Sequence, residues 1–158
     1  MIQAISQITT PLGPLWAGFS HHALIILSFK PLQHPIPNNN PHPLEYPLNH
    51  WLERYFTRYF DPPTLPLAPQ GTAFQQKIWG EVSKIPAGKW LTYGALAKQS
   101  NTAPRAIGQA MAANPIPLLI PCHRIIAKNG KIGGYSGGDG EKTKHWLLQW
   151  EGGELYVE

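Results

Sequence analysis

The chain has 158 residues, of which 42% are hydrophobic and six are tryptophan, enough for the core of one medium or two small domains. No apolar run reaches the roughly 18 residues of a membrane-spanning helix, and the first residues lack a basic stretch followed by an apolar core. Since the chain also has a single cysteine, Cys122, we expect a cytoplasmic protein without a membrane segment, a signal peptide or an internal disulfide.

Charge is unevenly distributed along the chain. Lysine and arginine number 13, and aspartate and glutamate number 9. Residues 1–70 carry three of each sign, so the whole net charge of +4 lies in residues 71–158. A basic C-terminal half is compatible with a polyanionic partner such as nucleic acid, although many proteins of other functions are equally basic.

The first half of the chain predicts a small strand-rich domain over residues 1–65. Short alternating or β-branched runs predict three strands, at residues 2–8, 14–19 and 23–29. Residues 31–48 carry six prolines and three consecutive asparagines, so we expect a loop there. Aromatic and leucine side chains at helical spacing predict a helix over 49–60, and the proline-rich residues 61–70 indicate an extended connection.

The second half, residues 66–158, predicts a mainly helical domain, so the fold class is α+β. Capping residues and apolar periodicity predict four helices, over residues 72–84, 93–99, 105–113 and 141–150. We expect residues 118–126 to be extended, and Asn129-Gly130 is typical of a hairpin turn between Ile126 and Ile132.

The helices predicted at 93–99 and 105–113 have helix-turn-helix dimensions. The second of them is rich in alanine and glycine, and Arg105 is its one charged residue. Such a helix has little with which to read base edges. It is either a close-packed core helix or a surface that meets DNA through backbone and shape without reading sequence.

Cys122 lies in the sequence Ile-Pro-Cys-His-Arg, and the residues leave two interpretations open. Most free cysteines are small buried hydrophobic residues. Against that, Pro121 fixes the entry to Cys122 and His123 supplies a titrating neighbour, which favours an activated nucleophile. A glycine-rich loop at 133–138, which contains Tyr135 and Ser136, would let a flat ligand approach the backbone closely.

Residues 71–152 resemble the O6-alkylguanine-DNA alkyltransferases, also called methylated-DNA–protein-cysteine methyltransferases. Several motifs carry the resemblance in order along the chain, namely Gly71–Trp79, Ile85–Lys89, Leu91–Ala97, Arg105–Gly108 with Asn114–Pro117, Ile120–Arg124, Gly134–Gly138 and Trp146–Gly152. The strand-rich first half is more loosely similar to the smaller domain of that family. Relative to many members, residues 138–146 are about two residues longer.

The resemblance implies a single-turnover reaction in which Cys122 irreversibly accepts an alkyl group from O6 of guanine, or from O4 of thymine, in DNA. His123 would take the thiol proton through a water molecule, and Glu151 would orient His123. Tyr93 would donate a hydrogen bond to the leaving base, and Asn114 would tie the second helix to the turn of the site.

For DNA, the resemblance implies that the target base is flipped out of the duplex. Arg105 would fill the gap, while Ala106 and Gly108 would allow close, sequence-independent approach along the minor groove. Ser136 would act near O6, and the backbone carbonyls of Cys122 and Ile125 would accept from the guanine amino group. The partner is then double-stranded DNA, bound by a monomer, with cooperative binding left open.

No cofactor and no metal site are expected, since the first half lacks the cysteines of a structural zinc site. Two alternatives differ in class. A non-catalytic alkyltransferase-like protein would bind alkylated DNA without repair, but such relatives usually replace the cysteine. A thiol hydrolase would place its nucleophile at a helix N-terminus, which the extended run predicted before Cys122 disfavours.

Overall fold

The computed structural model describes residues 2–33 and 40–152. The chain divides into two compact units, Met1–Gln70 and Gly71–Glu158. The division falls five residues later than the sequence suggested, because residues 66–68 pair with the first unit. The backbone amide of Leu24 donates to Pro66 O at 3.0 Å, and that of Ala68 donates to Leu24 O at 2.9 Å.

The first unit contains an antiparallel sheet in the order β1-β2-β3, which confirms the three predicted strands. The strands are β1 (Ala4–Thr10), β2 (Gly13–Phe19) and β3 (Leu24–Ser28). The β1–β2 turn is closed by the Thr10 hydroxyl, which donates to Gly13 O at 2.7 Å. Gly13 has a φ of +96°, a conformation that glycine adopts without strain.

Helix α1 covers Glu45–Tyr55 and packs against the sheet with Leu48, Trp51, Leu52 and Tyr55 buried. It begins four residues before the predicted helix and ends earlier, so the expectation of loop through residue 48 was wrong at its end. Pro47 is compatible with this start, because the first-turn amides of a helix have no intrahelical acceptor to lose. Residues 34–39 of the predicted loop lie outside the described residues.

The second unit contains the four predicted helices, two of them at the predicted bounds and two with ends shifted by one or two residues. They are α2 (Ala73–Val82), α3 (Tyr93–Gln99), α4 (Pro104–Ala112) and α5 (Glu141–Trp150). Thr72 forms a capping box with Gln75, and Thr92 accepts from the amide of Ala95 at 3.0 Å. These caps and the proline at the start of α4 set where each helix begins.

Two expectations in the second unit were wrong. Residues 118–124 are not extended, since Leu118 has a φ of +73° and Cys122–Arg124 form one turn of 3-10 helix, and only Ile125 and Ile126 of the predicted run are extended. The predicted hairpin at Asn129 is also absent. Instead, strand β5 (Ile125–Ile126) pairs in parallel with β4 (Leu91–Thr92).

The turn after β5 is compact. Residues Lys128–Gly130 form a 3-10 turn in which Asn129 has a φ of +63°. The amide of Ala127 donates to Lys131 O at 2.9 Å, so the chain does reverse there, but without a second strand. Among residues 2–33 and 40–152, no helix is long and apolar enough to cross a membrane.

Candidate active site in the second unit

Cys122 is buried and is a free thiol. Its backbone amide donates to Ile120 O at 2.8 Å, and the preceding turn is closed by Asn114. The Asn114 side chain donates from Nδ2 to Ile120 O at 2.9 Å and accepts from the amide of Ile116 at 3.0 Å. The Asn114 side chain, just after the end of α4, therefore holds the segment that carries the Cys122 thiol.

His123 is fully buried, and its Nε2 lies 2.7 Å from Oε2 of Glu151. An ionised carboxylate can only accept, so Nε2 carries the proton and Nδ1 is left as an acceptor. Nδ1 has no hydrogen-bond partner among the described residues. The pair is brought together by the 3-10 turn and the end of α5, where Gly152 adopts a φ of +84°.

The charges of this pair follow from burial and from its partners. Burial lowers the pKa of His123, more than the Glu151 carboxylate raises it, so the imidazole is neutral at neutral pH. Burial alone would raise the pKa of Glu151, but His123 and Arg124 outweigh it and lower that pKa to about 2. Glu151 is therefore a carboxylate and His123 a neutral base.

Arg124 is a member of this cluster that the sequence reasoning missed. Its Nε and Nη2 donate to the two oxygens of Glu151 at 2.9 and 3.0 Å, and its Nη1 donates to Ile85 O at 2.6 Å. Arginine matches a carboxylate in this two-point geometry. Two features of the sequence could have indicated this contact. Arg124 directly follows His123, and Glu151 is the only acidic residue of the Trp146–Gly152 motif.

Cys122 faces a cavity of about 260 Å³. The cavity is lined by Tyr93, Gly108, Met111, Ala112, Cys122, Gly134, Tyr135 and Ser136. Of the predicted site residues, it thus gathers Tyr93, Gly108, Tyr135 and Ser136 around the thiol. Its walls come from α3, α4, the 3-10 turn and the 133–138 loop.

The polar groups around this cavity are strongly influenced by burial. Burial raises the pKa of the Cys122 thiol, while the Asn114 side chain and the Lys144 ammonium oppose that rise. Burial, with the negative charge of Cys122, raises the pKa of Tyr93. Burial raises the pKa of Tyr135 well above its usual range, and its hydroxyl has no partner among the described residues. Both tyrosines are therefore neutral hydroxyl donors.

Gly133 fixes the position of Tyr93. It has a φ of +77°, and a Cβ on it would lie 3.1 Å from Cε2 of Tyr93. The loop backbone therefore lies against the tyrosine ring, which only glycine permits at this conformation. Gly133 was predicted as part of a glycine-rich loop, but not as the residue on which the ring rests.

Lys144 is the second residue that the sequence reasoning missed. It is fully buried, and its ammonium donates to the carbonyls of Ile125 and Gly134 at 2.6 and 3.1 Å. The ammonium also lies 5.5 Å from the centroid of the Tyr93 ring. Lys144 precedes Leu147 and Leu148 by three and four residues, and this shared helix face is the signal that could have placed it inside.

Helix α4 separates into a buried and an exposed face. Ile107, Ala110 and Met111 are buried, and Trp79 Nε1 donates to Ala110 O at 2.8 Å. On the other face Arg105 is exposed, and Ala106 and Gly108 are half-buried. A Cβ on Gly108 would meet nothing within 4 Å. The alternative of a wholly packed core helix is thus wrong.

No group of three or more histidine, cysteine, aspartate or glutamate side chains suited to a metal ion is found in the part of the chain that the structure describes. The first unit contains a separate cavity of about 710 Å³ between β1 and α1. Its lining residues, which include Gln7, Asn49 and Tyr59, contain none of the predicted site residues.

Fold and site together define an α+β protein with a buried thiol that faces a small cavity beside a helix pair. Residues 73–153 match the family model described as 6-O-methylguanine DNA methyltransferase, DNA binding domain. The chain therefore belongs to the 6-O-methylguanine DNA methyltransferase family.

Similar proteins agree with this assignment. The methylated-DNA–protein-cysteine methyltransferases of Shigella flexneri and Methanosarcina mazei are each 46% identical to the chain over 91 residues. The matches cover 56% of this chain and 52% and 56% of those proteins. The matched segment thus spans about half the length of these curated relatives.

Solved structures match over nearly the full length. The Mycobacterium tuberculosis O6-methylguanine methyltransferase is 31% identical, with a TM-score of 0.81 over 96% of this chain and 93% of that one. The structure of Mycobacterium tuberculosis OGT in complex with DNA is 32% identical, with a TM-score of 0.82 over 94% and 93%. The α+β fold class predicted from sequence is confirmed.

Proposed function

We propose that this protein repairs DNA by transferring an alkyl group from O6 of guanine to Cys122. The observation that carries the proposal is the thiol at the wall of a small cavity, next to a neutral histidine whose Nε2 donates to Glu151. The names of the relatives and the DNA complex of a structural neighbour support the same activity.

The proton of the thiol has a defined acceptor in this proposal. His123 keeps Nδ1 as an acceptor because Nε2 donates to Glu151. The thiol proton passes through a water molecule to Nδ1, and the imidazolium that forms is stabilised by the buried Glu151 carboxylate. Since burial raises the pKa of the thiol, the thiolate forms as the base is bound and not beforehand.

The transfer itself is a displacement at carbon. The thiolate sulfur gives an electron pair to the alkyl carbon, and the pair of the breaking carbon–oxygen bond stays on the guanine oxygen. The guanine anion then takes a proton and His123 releases the one it accepted, so the net reaction moves the thiol proton to the guanine. Tyr93 and Ser136 line the cavity and are the hydroxyl donors proposed for the leaving base. The product at Cys122 is a thioether, which no group in this site reverses, so each molecule reacts once.

Access to a base within a duplex requires that the base be flipped out. The exposed Arg105 is proposed to fill the space it leaves, and the small face with Ala106 and Gly108 to approach the minor groove. Binding then depends on backbone contacts, so we propose affinity for duplex DNA of any sequence that falls as salt rises.

The carbonyls of Cys122 and Ile125 are proposed to accept from the guanine amino group. Cys122 lines the cavity, while Ile125 is fully buried and is not among the lining residues. The Ile125 carbonyl already accepts from Lys144, but an oxygen with two lone pairs can accept a second donor. O4-alkylthymine is proposed as a second substrate, because its alkyl group is attached through an equivalent exocyclic oxygen.

The decisive experiment is mass spectrometry of the intact protein after mixing with duplex DNA that contains one O6-methylguanine. We expect one methyl group to be added, on the peptide with Cys122, and a plateau at one methyl per protein. Cys122→Ala should gain none while it still binds the methylated duplex. If the wild type binds that duplex but gains no methyl group, the chain is a binding protein without transfer. An O4-methylthymine duplex tests the second substrate.

A further inference from the structure

Lys144 is a buried cation without a carboxylate partner. Its side chain is fully enclosed, and no ion pair to it is found among residues 2–33 and 40–152. Its hydrogen bonds go to two backbone carbonyls, Ile125 O and Gly134 O. Burying a charge without a counter-charge costs free energy, so the position calls for an explanation beyond packing.

The two carbonyls belong to two different segments, each of which contributes a residue to the lining of the thiol cavity or directly follows one that does. Ile125 lies in β5, directly after the 3-10 turn that carries Cys122. Gly134 lines the cavity from the 133–138 loop. One ammonium group therefore joins the segment of the nucleophile to the loop that holds Tyr135 and Ser136.

The titratable groups that face Lys144 come from three elements. Cys122 is in the 3-10 turn, Tyr93 is in α3 with its ring 5.5 Å from the ammonium, and Glu141 is on α5 itself. Burial lowers the pKa of Lys144 to about 8, against the opposing effects of Cys122 and Glu141. In return, Lys144 lowers the pKa of Cys122 and, as a like charge, that of His123.

We propose that Lys144 is a positioning residue that sets the geometry of the cavity and supplies the counter-charge of the Cys122 thiolate. The thiol loses its proton inside a site that already contains a fixed positive charge, so no solvent must reorganise at that moment. The same charge disfavours a protonated His123 in the resting state, which keeps the imidazole ready to accept. The identity of the substrate rests on the proposed function, but the effect of Lys144 on the pKa of the Cys122 thiol does not.

The test separates the thiol from the substrate by using iodoacetamide, from which a thiolate displaces iodide to form a thioether. The variant is Lys144→Met, which keeps the length and loses the charge and the donors. Its control is Lys142→Met, an exposed lysine on the same helix. We expect Lys144→Met to shift the pH–rate profile of Cys122 alkylation upward by about one unit, and Lys142→Met to leave it in place.

The second readout is single-turnover transfer from an O6-methylguanine duplex. Lys144→Met should be slower by about tenfold or more at neutral pH, as a one-unit shift in thiol pKa implies, while its affinity for the duplex stays that of the wild type. Lys144→Arg should recover part of the iodoacetamide shift because it keeps the charge. If no variant or wild type transfers methyl groups, the proposed function fails, but the iodoacetamide comparison still decides the role of Lys144.

A third measurement uses the wild type alone, in case the variants do not fold by circular dichroism. The ammonium of Lys144 is titrated by nitrogen NMR before and after Cys122 is capped with iodoacetamide. Wherever Cys122 is ionised, its negative charge favours the protonated form of Lys144, so around and above the pH at which the thiol ionises the uncapped protein should keep more ammonium than the capped one. An unchanged pKa of Lys144, or a folded Lys144→Met with an unshifted thiol profile, overturns the proposal.

Discussion

Arg124 and Glu151, 27 residues apart in the chain, form a buried ion pair in which two guanidinium nitrogens meet the two carboxylate oxygens at 2.9 and 3.0 Å. The same carboxylate holds His123 at 2.7 Å. Glu151 thus serves a stabilising pair and the candidate proton acceptor at once. Stability of the second unit and orientation of His123 are therefore coupled through one side chain.

The first prediction concerns Arg124. Arg124→Met removes the guanidinium that meets both oxygens of the Glu151 carboxylate and also removes the donor to Ile85 O. Breaking a buried pair from one side costs about 3–5 kcal/mol, and we expect a loss of unfolding free energy of that order in urea denaturation.

The control for this prediction is Lys84→Met. It breaks the exposed pair of Lys84 with Glu81, in which the Lys84 side chain is 73% exposed, and should cost less than about 0.5 kcal/mol. Equal losses for Arg124→Met and Lys84→Met would contradict a stabilising role of the buried pair.

Local chemistry explains which parts of the fold could be predicted. Thr72 and Thr92 each accept from an amide three residues later, and Pro104 begins α4. These signals are complete within a few residues of sequence, so the helices in residues 71–152 were predicted nearly at their observed bounds.

The missed features depend on contacts between distant residues. The run around Ile120 has the apolar pattern of a strand, but the positive φ of Leu118 and the bonds of the Asn114 side chain turn it into a compact loop. The strand pair β4–β5 has only two residues on each side, too few for a pattern. Tertiary contacts decide both cases over local propensity.

The residues of the site also divide into those that local sequence indicates and those that depend on contacts between distant residues. Cys122 and His123 were predicted because they are adjacent in a recognisable motif, whereas Lys144 was missed because a lysine on a helix is normally exposed. Its burial depends on the carbonyls of Ile125 and Gly134, which only the folded chain brings within reach. The sequence therefore indicated the thiol and the adjacent histidine, but not the buried lysine near them.

The second prediction concerns the loop against Tyr93. Gly133→Ala places a methyl group 3.1 Å from the Tyr93 ring in a backbone conformation with a φ of +77°. The left-handed conformation alone costs about 1–2 kcal/mol for a residue with a Cβ, so we expect at least that loss of unfolding free energy. The intrinsic fluorescence of the protein should also change if the ring is displaced.

Gly134→Ala is the matched control for stability. A Cβ at that position meets nothing within 4 Å, and its φ is not positive. We expect its unfolding free energy to stay within about 0.5 kcal/mol of the wild type, the range of unconstrained surface changes. Similar losses in the two variants would show that neither the φ of Gly133 nor its contact with Tyr93 matters.

The third prediction separates stability from DNA binding on α4. Gly108→Leu adds a side chain where nothing lies within 4 Å, and leucine favours a helix over glycine by about 0.8 kcal/mol. The variant should therefore be at least as stable as the wild type in thermal denaturation. Its affinity for duplex DNA should nevertheless fall about tenfold or more, because the added side chain prevents the close approach proposed for the minor groove.

Gly80→Leu is the control for that variant. Gly80 lies within α2 and also has open space around its Cα, so the same helical gain is expected. Its DNA affinity should equal that of the wild type when both are measured at one salt concentration. Unchanged DNA binding by Gly108→Leu would exclude the small-residue face of α4 from the DNA contact.

The fourth prediction concerns acid stability. The pKa of Glu151 is lowered to about 2 in the folded protein, whereas an unfolded glutamate titrates near 4.3. The folded state binds fewer protons between these values, so the stability contributed by Glu151 is present above about pH 4.3 and is lost as the pH falls toward 2. Burial likewise lowers the pKa of His123, which adds a loss that begins below about pH 6.5.

Glu151→Gln tests the sign of this effect. The variant is less stable at neutral pH, because Gln cannot pair with Arg124 as a charge, but its stability should fall less steeply between about pH 5 and pH 2. The unfolding free energy that the wild type loses over this pH range, and that the variant does not lose, should be about 3 kcal/mol at most, as the shift in the pKa of Glu151 implies. Urea denaturation of both proteins across that pH range measures it. If the unfolding free energies of wild type and variant fall in parallel as the pH is lowered, the acid sensitivity belongs to other groups, and the ionised Glu151 does not stabilise the fold.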